Sequence, residues 1–252
     1  MPSHPLFPPS PPPISRPGGA PSARRTVWLS SAYLGPVEYY AHIYAATDVV
    51  LDEAEHYVKQ TYRNRCYIAT PTGPQALTLP VERDGAGRTP VRELRLSDHG
   101  NWRHLHWTAL VSAYEKSPYF EYYADDFRPL YERKFSFLAD FNETLRRLVL
   151  SLLDLERPTV RAARYEADPA FTHSEVLDLR RAIAPKSPPE ADPAFTPVPY
   201  YQVFASRTGF LPNLSIADLL FNLGPESRLV LRRCLPQAES SPSASHATPP
   251  LR

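Results

Sequence analysis

Proline sets the limits of what this chain can fold into. It has 30 prolines against nine glycines in 252 residues. Each proline fixes one backbone dihedral and removes an amide donor, so prolines mark where regular helix and sheet stop. Nine of them fall in residues 1–25, a stretch with no periodic apolar pattern. That arm reads as disordered and extended. Residues 236–252, PQAESSPSASHATPPLR, read the same way. Residues 26–235 between them are rich in Tyr and Phe and long enough to bury a core. A second proline cluster at 184–201, APKSPPEADPAFTPVPYY, interrupts this body. It is too short to separate domains and reads as a long surface loop within one domain. The chain shows no internal repeat.

Charge and cysteine content remove whole classes of function. Lys and Arg total 28 against 27 Asp and Glu, and the 24 arginines are scattered among acids. Nucleic-acid binding and a polybasic membrane arm both need one-sided charge. Cys66 and Cys234, the only cysteines, are too few for a disulfide framework or a four-thiolate zinc site. No apolar run reaches the roughly 18 residues of a membrane span, and the N-terminus lacks a charged region followed by an apolar one. The expectation is a cytoplasmic protein without a nucleic-acid partner, a membrane span or a signal peptide. Its oligomeric state is left open.

Local patterns place the elements. TVWLSSAY starts as a strand, and Gly35-Pro36 then opens a helix with Tyr39, Tyr40, Ile43 and Tyr44 at helical spacing. TDVVLDE reads as a buried strand. YRNRCYIA and QALTLPVE are extended runs on either side of the turn-rich Pro71-Thr72-Gly73-Pro74, and PVRELRLS alternates like a strand. Asp98 or Asn101 is placed to cap a helix over 102–116 that Pro118 stops. Further helices fit 119–131 and 134–153, the second repeating Leu138, Phe141, Leu145, Leu148 and Leu152. TVRAARY resembles a strand, EVLDLRRAI is ambiguous, and SIADLLFNLG is a short helix closed by Gly224. Strands alternating with helices predict a single α/β domain with a mostly parallel, Rossmann-like sheet and flanking helices.

Four segments concentrate groups that carry chemistry. AYLGPVEYYAHI (32–43) is a strand-to-helix junction whose free amides would suit an anion, unless it simply packs tyrosines on the sheet. In EHYVKQTYRNRCYIA (55–69), Lys59, Arg63 and Arg65 supply three cations, with Asn64 between two of them. On an extended strand Arg63 and Arg65 share one face, a fork for a carboxylate or diphosphate. The alternative is ion pairing with Asp52, Glu53 and Glu55. Cys66, flanked by apolar residues, reads as a buried structural thiol rather than a nucleophile. In SDHGNWRHLHW (97–107), His104 and His106 point about 200° apart on a helix and do not share a metal ion. His99, aligned by Asp98, is the candidate general acid/base, and His106 and Trp107 read as core. In GFLPNLSIADLLFNLGPES (209–227), Asn213 or Ser215 caps the short helix, and Asn213 is also a candidate ligand contact.

Together YVKQTYRNRCYIA, SDHGNWRHLHWTALVSAYEKSPYFEYY, FSFLADFN and GFLPNLSIADLLFNLGPES resemble the WbqC-like protein family, over about residues 28–227. The family's opening Gln-Pro-Tyr strand end corresponds to SSAYLGPVEYY, where Tyr33 and Pro36 match and Ser31-Ala32 replaces Gln-Pro. Its Asp…Tyr-x-Lys…Asn-Arg segment falls on Asp48 or Asp52, Tyr57, Lys59, Asn64 and Arg65. Its late Pro-x-Leu-Ser-Ile segment falls on Pro212, Leu214, Ser215 and Ile216, followed by Asp218, Leu219 and Leu220. Many members carry a Gly-Gly loop where this chain has EVLDLRRAIAPK, which implies a different substrate for this branch.

The resemblance implies an α/β fold. It also implies a role in O-antigen or other surface-polysaccharide synthesis, with glycyl or related aminoacyl transfer to a sugar as the suggested chemistry. The expectation is a transferase in which Lys59, Arg63 and Arg65 hold an anionic donor. Asn64, Tyr33 and Asn213 orient the sugar-linked substrate, and His99 with Asp98 moves the proton. No phosphate-cradling loop is present, so an external activated donor is favoured and no cofactor is assigned. A non-catalytic protein that presents a sugar intermediate is the alternative, and a metal-dependent hydrolase ranks below it.

Overall fold

The computed structural model describes residues 25–82, 88–166 and 176–235. The proline-rich arm, apart from Arg25, and the tail at 236–252 lie outside the described residues. Four parallel strands form the main sheet: β1 (Thr26–Ser30), β2 (Asp48–Asp52), β5 (Thr159–Arg161) and β6 (Val176–Asp178), in the order β5-β2-β1-β6. Counting only these strands along the chain, the order is 3-2-1-4, that of the first four strands of a Rossmann sheet. It reverses between β1 and β6. A separate antiparallel hairpin pairs β3 (Arg65–Thr70) with β4 (Gly73–Thr78).

The helices are α1 (Val37–Ala45), α2 (Trp102–Tyr114), α3 (Phe120–Glu132), α4 (Leu138–Leu152), α5 (Ala205–Thr208), α6 (Ile216–Leu223) and α7 (Ser227–Cys234). They flank the sheet: α1 packs on α7, α2 on α3, and α3 on α4 and α6. Their apolar faces close one continuous core that includes Val27, Leu29, Tyr33, Ile43, Val49, Leu51, Phe141 and Phe221, all fully or nearly fully buried. The predicted α/β class, parallel sheet and flanking helices are all present.

Three local expectations fail for physical reasons. PVRELRLS is not a strand: Val91–Glu93 is a 3₁₀ turn, because Val91 and Leu94, three residues apart, both go into the core. Its pairing is confined to isolated bridges, Pro90 to His56, Arg95 to Phe137 and Leu96 to Val81. Neither Asp98 nor Asn101 caps α2 through its side chain; Asn101 takes a left-handed φ of 47°. And the strand that was to carry both Arg63 and Arg65 begins only at Arg65. Tyr62, Arg63 and Asn64 make a turn pinned by Tyr33 N–H to the Tyr62 carbonyl (2.8 Å) and the Asn142 amide to the Arg63 carbonyl (2.8 Å).

Candidate functional site

In an open parallel sheet, loops leave the carboxyl ends of neighbouring strands in opposite directions where the order reverses, and a crevice opens between them. Here those loops follow β1 and β6. The junction after β1 is tight. Leu34 has φ of 40°, and a Cβ on Gly35 would lie 3.1 Å from the Tyr39 ring, tight enough that the ring would have to give by a few tenths of an ångström. That turn aims Glu38, in the first turn of α1, toward the segment after β6.

A cleft of about 640 Å³ lies there. Glu38, Tyr62, Tyr67 and Pro74 form one side; Pro185, Lys186, Pro188, Asp192 and Phe195 form another; Leu211–Leu214 close the rest. A tight hollow of about 10 Å³, the scale of one water molecule, holds Ser30, Arg63 and Ile183 at the strand ends, and Tyr62 borders both spaces.

Glu38 is nearly buried, and its bonds are reciprocal. Its main-chain N–H donates to Asn213 Oδ1 (3.0 Å), and Asn213 Nδ2 donates back to its Oε2 (2.8 Å). Burial pushes the Glu38 carboxyl from its ordinary 4.5 to about 7; the Asn213 bond opposes this, and the neighbouring Asp192 carboxylate adds to it. One turn further along α1, fully buried His42 meets Asp192 through Nε2 and Oδ2 at 2.5 Å. Burial disfavours the Asp192 anion, yet the His42 hydrogen bond and charge hold its pKa below the usual carboxylate value. Two carboxyl groups with pKa values driven apart, one near neutrality, are the arrangement acid/base chemistry needs.

The same loop closes the helix terminus. Val37 N–H donates to the Leu214 carbonyl (2.9 Å), Ile216 N–H to Gly35 (2.9 Å), and the Ser215 hydroxyl to Leu34 (2.9 Å). The first amides of α1 are therefore spent on protein, and an anion has no free N–H of Val37 or Glu38 to take. Ser215 caps α6, accepting from Ala217 N–H, so Asn213 is left to cap α1 instead.

The residues singled out from the sequence are dispersed. Arg63 is buried and forked onto Glu55 (Nε 2.8 Å, Nη2 2.5 Å), with Nη2 also reaching Ser30 Oγ (2.9 Å). Arg65 donates across the hairpin to Thr78 Oγ1 (3.0 Å), and Lys59 is exposed. Asn64 is buried against the Leu79 carbonyl (2.9 Å). Asp98 turns to Arg103 (2.7 Å) and Lys134 (3.0 Å), whose hydrogen bonds lower its pKa. Exposed His99 receives no bond from it. Tyr33 is fully buried, its hydroxyl shared between His106 Nδ1 and Tyr131, each at 2.9 Å. Burial drops His106 to about 4, so it is a neutral core imidazole, and burial raises the Cys66 thiol far above reactivity. Of the named residues, only Asn213 lines the large cleft.

Among the described residues, no three His, Cys, Asp or Glu side chains are grouped to hold a metal ion, and no helix is long and apolar enough to cross a membrane. Glu38 and His42 escaped sequence reasoning because they sit among tyrosines on a buried helix face. Two ionisable groups one turn apart on such a face were the available signal.

The WbqC-like protein family matches residues 31–187. This chain belongs to that family. The WbqC-like match takes in Tyr33, Glu38, His42 and Tyr62 and ends inside the proline-rich wall, short of Asp192 and Asn213. The uncharacterized protein Rv1507c of Mycobacterium tuberculosis is 28% identical over 229 residues, covering 84% of this chain and 99% of that protein. No solved structure matches the chain.

Proposed function

We propose that this WbqC-like protein is a cytoplasmic group-transfer enzyme that moves an acyl or aminoacyl group onto a sugar-linked amine or hydroxyl in surface-polysaccharide synthesis, with Glu38 as the proton-handling group. The observation that carries this is the Glu38 carboxyl, poised near neutrality in a cleft at the reversal point of the sheet. Ionised Glu38 takes the N–H or O–H proton as the nucleophile's lone pair attacks the acyl carbon. The tetrahedral centre then collapses, the donor's leaving group departs with the electron pair of the broken bond, and Glu38 returns the proton to it. Lys186, on the cleft wall, is the cation available to the developing oxyanion. Asp192 raises the affinity of Glu38 for that proton and is itself steadied by His42. Tyr62, Tyr67 and Phe195 offer flat faces for a sugar ring.

The test is product formation by mass spectrometry from activated acyl and aminoacyl donors with amino- and hydroxy-sugar nucleotides. Glu38→Gln is expected to cost about 10²- to 10⁴-fold in turnover while retaining acceptor binding. Full turnover in Glu38→Gln overturns the reading, and equal loss in His99→Ala instead returns the base role to His99. The apolar, proline-rich lining favours one rival, a non-catalytic sugar carrier; acceptor binding without product from any donor would select it.

A further inference from the structure

A second cleft, of about 600 Å³, is built from one continuous stretch of chain: the last turns of α4, the turn after it, and β5. It shares no lining residue with the Glu38 cleft. Four arginines line it: Arg146, Arg147, Arg157 and Arg161. Its carboxylates are largely taken up. Glu143 accepts from Arg146 Nε (2.7 Å) and Nη2 (3.0 Å) and from Arg147 Nε (2.6 Å). Burial works to raise the Glu143 pKa, but those bonds and charges hold it below the ordinary value, so the anion persists. Asp154 pairs outward with Arg228 (2.9 Å), leaving exposed Glu156 as the lining acid without an ion pair among the described residues.

The guanidinium groups are less fully used. Arg147 hydrogen-bonds Glu143 through Nε, and Arg161 approaches Glu53 most closely through Nε, at 3.4 Å. Their terminal nitrogens make no hydrogen bond among the described residues. Arg157 donates to two main-chain carbonyls, Glu156 (2.8 Å) and Tyr44 (2.9 Å), and has no carboxylate partner there. Paired terminal guanidinium nitrogens match phosphate oxygens in spacing and charge.

We propose that this cleft binds a phosphorylated small molecule, its phosphate or diphosphate gripped by the terminal nitrogens of Arg147 and Arg161, with Arg157, which has no carboxylate partner among the described residues, beside them. The space exceeds an inorganic phosphate and leaves room for the group that a phosphate is attached to. Through the Tyr44 carbonyl, Arg157 touches the C-terminal end of the helix whose first turn holds Glu38, about 9 Å away along its axis.

The experiment is calorimetric titration of the full chain with inorganic phosphate, pyrophosphate and a nucleoside diphosphate. Pyrophosphate is expected to bind, and the Arg147→Gln/Arg161→Gln double variant is expected to weaken it roughly ten- to a hundred-fold. Both side chains are exposed, and because Arg161 also partners buried Glu53, Arg147→Gln alone is titrated beside it and should weaken binding in the same direction. Arg128→Gln, which removes a surface pair with Glu132, should leave the isotherm unchanged. Tighter binding of the nucleoside diphosphate would place its base and ribose on the cleft walls, and equal binding would mean recognition of the diphosphate alone. Absence of binding by all three, or binding that the double variant leaves intact, overturns the proposal. Glu38→Gln should not change these isotherms, which separates this site from the reading above.

Discussion

Asn213 and Glu38, 175 positions apart, hold each other by two hydrogen bonds, one to the main chain of α1 and one to the carboxyl that faces the cleft. One side chain therefore sets both the start of a helix and the acidity of its neighbour. Asn213 itself stands at φ of 52°, a conformation asparagine tolerates better than most residues. Asn213→Ala is expected to lose about 1–2 kcal/mol of stability through the missing cap, measured by urea unfolding. It should also raise the Glu38 pKa, because the bond it removes favours the ionised form; a carboxyl-carbon NMR titration reads that shift.

The raised Glu38 pKa has a definite sign in stability. Between 4.5 and about 7 the folded chain holds a proton there that the unfolded chain has released. Its contribution is complete below the unfolded value and is lost as pH climbs through the folded one. Stability of the parent relative to Glu38→Gln should therefore fall across that window. A flat difference between the two unfolding curves over the same pH range would show that Glu38 titrates normally.

His42 and Asp192 fasten the segment after β6 to α1 from a fully buried position. A double-mutant cycle with His42→Gln and Asp192→Asn should give a coupling energy of about 1–3 kcal/mol. Either single change should also speed tryptic cleavage after Lys186, since that wall would open locally more often.

Arg63 and Arg65, two residues apart, should behave as opposites. Arg63→Ala strands buried Glu55 without its partner and should cost about 3–5 kcal/mol. Arg65→Ala removes a side chain bonded to Thr78 at the surface of the hairpin and should cost less than about 1 kcal/mol. Thermal or urea midpoints of the two variants decide this directly.

Tyr33→Phe deletes one hydroxyl that serves two buried partners, His106 and Tyr131. A loss of about 1–3 kcal/mol is expected from leaving them unsatisfied, with no change in the Glu38 titration.

The fold was largely legible because β1, β2 and the helices carry periodic apolar residues whose spacing records the buried face. The alternation in PVRELRLS misled, since a 3₁₀ turn also buries residues three apart and the stretch is too short to separate the two. The cleft was mostly illegible. Asn213 stands out as a polar residue in a loop, but the local pattern points to its own helix as the partner rather than to α1. Asp192 lies 150 residues from His42, inside a proline cluster whose composition says only that it is irregular. Pairing at that distance is written in the packing and leaves no local pattern. The fork expected of Arg63 and Arg65 failed over two residues of register, because Asn64 binds the Leu79 carbonyl and delays the strand.

The proline-rich wall carries one more implication. Its prolines restrict the unfolded chain, and the imidazole–carboxylate button fixes the folded one, so the wall is shaped before any visitor arrives. A guest entering such a recess forfeits little freedom on the host's side. Capture should consequently proceed as a single encounter whose observed rate climbs linearly with guest concentration, without the plateau that a slow rearrangement of the host imposes.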